Sequence, residues 1–181
     1  LDALEQAGID FVSPKPAQVL EWRAQLEGLN QQLATSGELD AQFMGELLGH
    51  LEAYREAQYD GLMNKVTLDF AYPEQSSGMW VGQNTYIDPT AKIETPVLIG
   101  SNCRIGPNAH IEAGTVIGDN VTVSAHAHLK RPIIWNGALI GEEVNLSACT
   151  ISRGTRVDRR AQVFEGAVVG SLSKVGEEAQ I

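Results

Sequence analysis

Aliphatic residues recur at a spacing of six from Val81 to Ile181, and no other feature of the chain constrains its fold so tightly. The first run is unbroken: Val81, Ile87, Ile93, Ile99, Ile105, Ile111, Ile117, Val123 and Leu129. After a five-residue step come Ile134, Ile140 and Leu146, and after a second such step Ile151, Val157, Val163, Val169, Val175 and Ile181. Four residues after most of these stands a small or slim one, among them Thr85, Ala91, Cys103, Ala109, Thr115, Ala127, Ala138, Ala161 and Ala179. A period of six is neither a helix period nor a plain strand alternation. It is the mark of a parallel β-helix, in which each short repeat buries its apolar side chain only by stacking on its neighbours.

Three hexads close one triangular coil, so positions eighteen apart should lie directly above one another. Val81-Gly82-Gln83-Asn84, Ile99-Gly100-Ser101-Asn102 and Ile117-Gly118-Asp119-Asn120 repeat at that step. The β-branched residues suit short strands packed in columns, and the small residues suit the cramped inside of a corner. Asn84, Asn102, Asn108 and Asn120 fall at corners, where the chain turns sharply and a positive φ is best tolerated by Asn or Gly. The two five-residue steps shorten two coils. A one-residue slip inside a strand would turn the wrong face inward, so both deletions are expected in turns. The pattern predicts a mainly β chain in which residues 81–181 form five coils and part of a sixth.

The segment before the repeat has a different period. Pro14 and Pro16 precede an apolar stripe of Val19, Trp22, Leu26, Leu29 and Leu33, and Thr35-Ser36-Gly37-Glu38 interrupts it. A second stripe, Phe43, Leu47, Leu51 and Tyr54, runs within about 39–63. The 3-4 spacing predicts an α-helical hairpin over residues 1–63, with 64–80 as the linker, punctuated by Pro73 and Gly78.

Charge is unevenly placed. Residues 1–75 carry 13 acids and 4 bases, and residues 76–181 carry 10 and 9, giving −9 and −1 of the total −10. An acidic chain without a basic stripe is a poor partner for nucleic acid. No apolar run approaches the roughly 20 residues that span a membrane, so no membrane association is expected, and no signal peptide opens the chain. The first residue is Leu1 rather than Met, so a piece of a longer chain is expected. Cys103 and Cys149 fall at small-residue positions, where a thiol acts as a compact hydrophobe. Two such thiols fit a reducing cytoplasm.

Sites of chemistry are sparse. The chain has no glycine-rich phosphate loop, Walker lysine, CxxC pair or GxSxG elbow. His110 and His128 are eighteen apart and stack on adjacent coils, with Lys92 one coil below. Imidazole is a common zinc ligand, but no third His follows, and Glu94 and Glu112 fall at a different place in the hexad. The pair therefore reads as solvent-facing, and no catalytic, cofactor or metal residues are assigned. Arg153, Arg156, Arg159 and Arg160 form the one basic cluster, a candidate contact for an anion or another domain.

Several stretches carry a family likeness. They are Gly49-His50-Leu51-Glu52-Ala53-Tyr54-Arg55-Glu56-Ala57-Gln58-Tyr59-Asp60, Trp80-Val81-Gly82-Gln83-Asn84-Thr85-Tyr86-Ile87, Leu129-Lys130-Arg131-Pro132-Ile133-Ile134-Trp135-Asn136-Gly137 and Arg156-Val157-Asp158-Arg159-Arg160-Ala161. With them, the chain from about Gly49 onward resembles the end of a bacterial, especially cyanobacterial, sugar-1-phosphate nucleotidyltransferase of the mannose-1-phosphate guanylyltransferase type. The resemblance implies that the helix bearing Tyr54 closes a catalytic domain and that a left-handed β-helix follows. That hand is an exception to the right-handed crossover rule. The family's nucleotide-binding α/β domain is absent, and residues 1–48 do not resemble the strand expected before Gly49. A truncation, a chimera and a natural reuse of the coil all fit.

Three functions follow as expectations. The first is an accessory β-helix domain that assembles or regulates a nucleotidyltransferase, itself non-catalytic and without a cofactor, partnered by the missing catalytic domain and by copies of itself in a dimer or trimer built on the coil faces. The second is a hexapeptide-repeat acyltransferase using CoA. Such enzymes usually need a His-bearing loop extruded from a corner, and the unbroken register from Val81 to Leu129 leaves no room for one there. The third is a scaffold like γ-class carbonic anhydrase, whose three metal histidines have a spacing that His110, His126 and His128 do not reproduce.

Overall fold

Strands of two or three residues recur from Met79 to Val175, and each, up to the last on its face, pairs in parallel with the strand one coil later. The structure, a computed structural model, describes residues 55–56, 59–63 and 72–181. The chain divides into two units, Leu1–Tyr54 and Arg55–Ile181. The hairpin expected over 1–63 lies outside the described residues except for 55–56 and 59–63, where 55–56 and 59–62 are helical. Residues 64–71 of the linker also lie outside them.

The strands form three faces. The first holds Met79–Val81, Val97–Ile99, Val116–Ile117, Ile133–Ile134, Thr150–Ile151 and Val168–Val169, and Glu74–Ser76 joins its lower edge in antiparallel pairing. The second runs from Tyr86–Ile87 through Arg104–Ile105, Thr122–Val123, Leu139–Ile140 and Arg156–Val157 to Lys174–Val175. The third holds Lys92–Ile93, His110–Ile111, His128–Lys130, Asn145–Ser147 and Gln162–Val163. Ile99 pairs with Ile117, Ile111 with Leu129 and Ile105 with Val123, the eighteen-residue stacking that the repeat predicts.

Side chains alternate across such strands, so one residue in each points into the coil. All eighteen repeat aliphatics are buried except Ile87, Ile93 and Ile181. Ile87 and Ile93 are half-buried and Ile181 is 52% exposed. The exposure of Ile181 corrects the expectation that every repeat aliphatic is buried. The second inner column is as tight: Cys103, Ala109, Thr115, Ala127, Ala138, Cys149 and Ala161 are buried. Both cysteines are free thiols. Burial pushes both thiols up, Cys149 to about 12, so they serve as packing rather than as nucleophiles.

The corners are columns of left-handed backbone. Between the first and second faces stand Asn84, Asn102, Asn120, Gly137, Gly154 and Leu172, and between the second and third Asn108, His126, Glu143, Arg160 and Glu178, all at positive φ. Asn84 donates to Asn102 Oδ1 at 3.4 Å, so the expected asparagine stack is present. The two short steps fall at the corner between the third and first faces, at Arg131 (φ 53°) and Ala148 (φ 40°), where Gly114 and Gly166 take the same turn. The strands on either side keep their register, Leu129 opposite Leu146 and Ile133 opposite Thr150. The deletions are thus confined to a turn, as the pattern requires.

Gly82, Gly100 and Gly118, beside the first corner, are needed for space rather than for φ. A Cβ on Gly100 would stand 2.6 Å from the backbone carbon of Gly118 and 2.7 Å from the nitrogen of Asp119. This closeness lets the next residue build a ladder: Gln83 N–H donates to Ser101 Oγ, Ser101 N–H to Asp119 Oδ1, and Asp119 N–H to Asn136 Oδ1.

Candidate functional site

The third face carries its chemistry in two outward columns on either side of the buried Ile93, Ile111, Leu129, Leu146 and Val163. One column is Lys92, His110, His128, Asn145 and Gln162, fixed by the pairing of Lys92 with His110, His110 with His128, His128 with Asn145, and Asn145 with Gln162. The other, two residues further along each strand, holds Glu94, Glu112, Lys130, Ser147 and Phe164. Residues two apart on a strand point the same way, so His110 and Glu112 share this surface.

The imidazoles of His110 and His128 stack with ring centroids 4.7 Å apart and planes 2° from parallel. The separation is close to the spacing of neighbouring strands, so the stack is set by the coil repeat itself. Each ring reaches diagonally down to a carboxylate: His110 Nε2 lies 2.9 Å from Glu94 Oε1, and His128 Nε2 lies 2.6 Å from Glu112 Oε1. An ionised carboxylate only accepts, so the ring N–H donates in both. Lys92 Nζ donates to Glu94 Oε1 at 2.6 Å. Lys92, with help from His110, holds the Glu94 carboxyl below the usual carboxylate range.

His110, Glu112 and His128 each offer one donor atom, and the three atoms lie within 4.8 Å of one another. All three residues are half-buried. Above them an open groove of about 310 Å³ is lined by His128, Lys130, Asn145, Ser147, Val163 and Phe164. The spacing argument set the carboxylates apart from the histidines. The structure brings each to the ring one coil above, because a carboxylate two residues past Lys92 or His110 reaches the ring on the next coil. The signal available was the strand alternation itself, applied to the outward residues on both sides of each buried aliphatic.

The arginine cluster is divided among partners. Arg156 bonds Asp158 at 2.5 Å, and Asp158 also meets Lys174 at 3.0 Å. Arg159 bonds Glu143 at 2.6 Å, and Arg160 pairs with Glu177 and Glu178. Three of the four sequence-selected arginines therefore face carboxylates, while Arg153 sits in the turn before the first corner column and accepts the Leu172 N–H on its carbonyl. The geometry is that of exposed ion pairs on a coil surface. His126 stands apart from the stacked pair, at the corner between the second and third faces with φ 59°. Arg104 lies over the Tyr86 ring, 5.6 Å from its centroid, on the second face.

Residues 76–181 match the family described as the EIF2B subunit epsilon LbH domain, LbH standing for left-handed β-helix. A search of the curated proteins gives no match. Among solved structures the chain is similar to a mutant of GDP-perosamine N-acetyl transferase from Caulobacter crescentus in complex with CoA and GDP-perosamine, at 20% identity and a TM-score of 0.45 over 55% of this chain and 52% of that one. It is similar to a UDP-N-acetylglucosamine acyltransferase from Bacteroides fragilis at 20% identity and a TM-score of 0.38, over 56% and 48%. The acetyltransferase domain of PglB from Neisseria gonorrhoeae is similar at 16% identity and a TM-score of 0.33, over 56% and 52%. The chain spans about half the length of these proteins, and likenesses at this level carry no functional argument.

Proposed function

The chain belongs to the EIF2B subunit epsilon left-handed β-helix family, and from that membership we propose that it is the accessory β-helix domain of a sugar-1-phosphate nucleotidyltransferase, of the mannose-1-phosphate guanylyltransferase type. In this reading it acts in assembly or regulation and leaves nucleotidyl transfer to a catalytic domain. Its setting is a reducing cytoplasm, where the two buried thiols stay free. Among the described residues no helix is long and apolar enough to cross a membrane.

The observation that carries the reading is the outward side of the first face. On the second and third faces the outward residues are mostly polar or charged. On the first they are Trp80, Leu98, Val116, Ile133, Thr150 and Val168, and Trp80, Ile133 and Thr150 are buried. A sheet that is apolar on both sides is built to be covered. The family-like helical residues lie along the edge of that face. Arg55 Nη1 donates to Ala148 O at 3.0 Å, Arg131 lies over the Tyr59 ring, and that ring packs on Gly114. Trp80, Ile133 and Thr150 are already covered within the chain, whereas Val168 on this face, Leu139 on the second and Trp135 and Leu172 at or beside the corner between them stay exposed in the later coils and offer an apolar surface for docking. The proposal includes a homo-oligomer through the coil faces, which these exposed apolar residues support.

The test is an assay of the purified chain for nucleotidyl transfer, acetyl-CoA transfer and CO₂ hydration, paired with sedimentation at micromolar concentration. Background turnover and a mass of at least two chains are expected. Acetyl transfer abolished by His126→Ala or His128→Ala would replace this reading with the CoA-dependent acyltransferase. A clean monomer would remove the assembly role.

A further inference from the structure

We propose that His110, Glu112 and His128 form a binding site for a late first-row divalent cation, of which Zn²⁺ is the type, on the outer surface of the third face. The fold does not ask for histidine at these positions. The same column carries Lys92 below and Asn145 and Gln162 above, so any polar residue satisfies the coil. Two imidazoles in direct register, with a carboxylate two residues beyond the first, are a donor set rather than a packing requirement.

The donors are near enough together for one such ion. Zn–N distances of about 2.0–2.1 Å place tetrahedral donors about 3.3 Å apart. Glu112 Oε1 and His128 Nε2, at 2.6 Å, are already inside that separation. The three donors lie within 4.8 Å of one another, and binding requires the two half-exposed rings to rotate out of their parallel stack so that their in-plane lone pairs converge on one point. The backbone need not move, because the pairing of His110 with His128 holds both strands in place. The ring protons now shared with Glu112 and Glu94 would leave as the ion enters, since a ligating imidazole nitrogen must be bare.

Donor chemistry selects the ion class. Two imidazole nitrogens and one carboxylate suit Zn²⁺ and its late first-row neighbours, whereas Mg²⁺ prefers an all-oxygen shell. Three protein donors leave one tetrahedral position for water or an exchangeable ligand, and the groove that shares His128 with the site has Lys130 and Ser147 on its wall. Glu94, tethered by Lys92, accepts from His110 Nε2 in the metal-free chain and would release that nitrogen to the ion.

The test is Zn²⁺ binding to the untagged, metal-stripped full chain, by calorimetry and by competition with a chromophoric chelator, with the visible spectrum of the Co²⁺ form as a second readout. One ion per chain at the site is expected, with a tetrahedral Co²⁺ absorption band. His110→Ala, His128→Ala and Glu112→Gln should each weaken binding by roughly tenfold or more and remove the band. His126→Ala should change neither, and excess Mg²⁺ should not compete. His128→Asn serves as the fold-preserving check, because Asn145 holds the equivalent place one coil above. Absence of Zn²⁺ uptake by the parent chain would overturn the proposal. So would unchanged affinity in the His110→Ala, His128→Asn double variant with its circular dichroism intact.

Discussion

Asp119 Oδ1 lies 2.6 Å from the backbone nitrogen of Ser101, eighteen residues earlier, and the same oxygen accepts the Tyr72 hydroxyl at 2.8 Å. One carboxylate thus joins two adjacent coils to the segment that enters the solenoid. It does so at a turn where the backbone of one coil comes too close to the next for any side chain at Gly100. Asp119→Ala strips the acceptor from both donors and leaves a half-buried amide unpaired. A loss of about 1–2 kcal/mol is expected, read as a lower denaturant midpoint at unchanged slope. Asp119→Asn, which keeps an acceptor oxygen, should recover most of it.

Tyr72 makes the same junction sensitive to alkali. Burial, then the bond to Asp119, raises its phenol from 10.0 to about 12. The folded chain therefore holds this proton more tightly than the unfolded chain does. Its stabilising effect is complete below pH 10 and is lost as pH rises from about 10 to about 12. Tyr72→Phe should flatten the fall in stability across that window while leaving the acid limb unchanged. An alkaline limb of the same slope in both proteins would show that the bond does not contribute.

Gly100 and Gly176 separate space from conformation. Neither has a positive φ, but a Cβ at Gly100 would press on the Gly118–Asp119 backbone, whereas a Cβ at Gly176 meets nothing within 4 Å. Gly100→Ala is expected to cost about 1–3 kcal/mol by forcing neighbouring coils apart. Gly176→Ala should be neutral or stabilise by a few tenths to about 1 kcal/mol, because it restricts only the unfolded chain. Thermal melts of the two variants side by side distinguish these outcomes.

The inside of this molecule was legible because burial imposes a strict period. A hexad names the inward residue, and the eighteen-residue step gives its partner, so Ile99 over Ile117 and Ile111 over Leu129 follow from arithmetic. The two short steps had to fall in turns, and Arg131 and Ala148 are where they fell. The outside obeys no such rule. Whether Glu112 reaches His128 depends on how a side chain leans from one coil to the next, which a column read vertically does not contain. The arginines illustrate the same point. Arg156, Arg159 and Arg160 look like a basic patch when read along the chain, but their carboxylates come from a neighbouring residue on the strand and from adjacent coils. The apolar outer flank of the first face was also within reach. Trp80, Leu98, Val116 and Ile133 each stand one residue before a repeat aliphatic, and no such residue on the other two faces forms a comparable apolar run.

Leu172 is where the chain departs furthest from its own corner rule. The column it tops holds Asn84, Asn102, Asn120, Gly137 and Gly154, residues that adopt positive φ at little cost. Leu172 has φ 57° and is 83% exposed, so it bears the strain of the left-handed conformation while gaining little from burial. That conformation costs an ordinary L-residue roughly 1–2 kcal/mol. Leu172→Asn should recover about 1 kcal/mol, seen as a higher melting temperature, with the coil's circular dichroism unchanged. Its effect on mass is equally informative. If Leu172 belongs to the face through which copies associate, the same substitution will raise the stability of each chain while weakening the oligomer in sedimentation. A variant that melts lower, at the same mass as the parent, would show that the side chain's contact beside Gly154 outweighs the backbone strain.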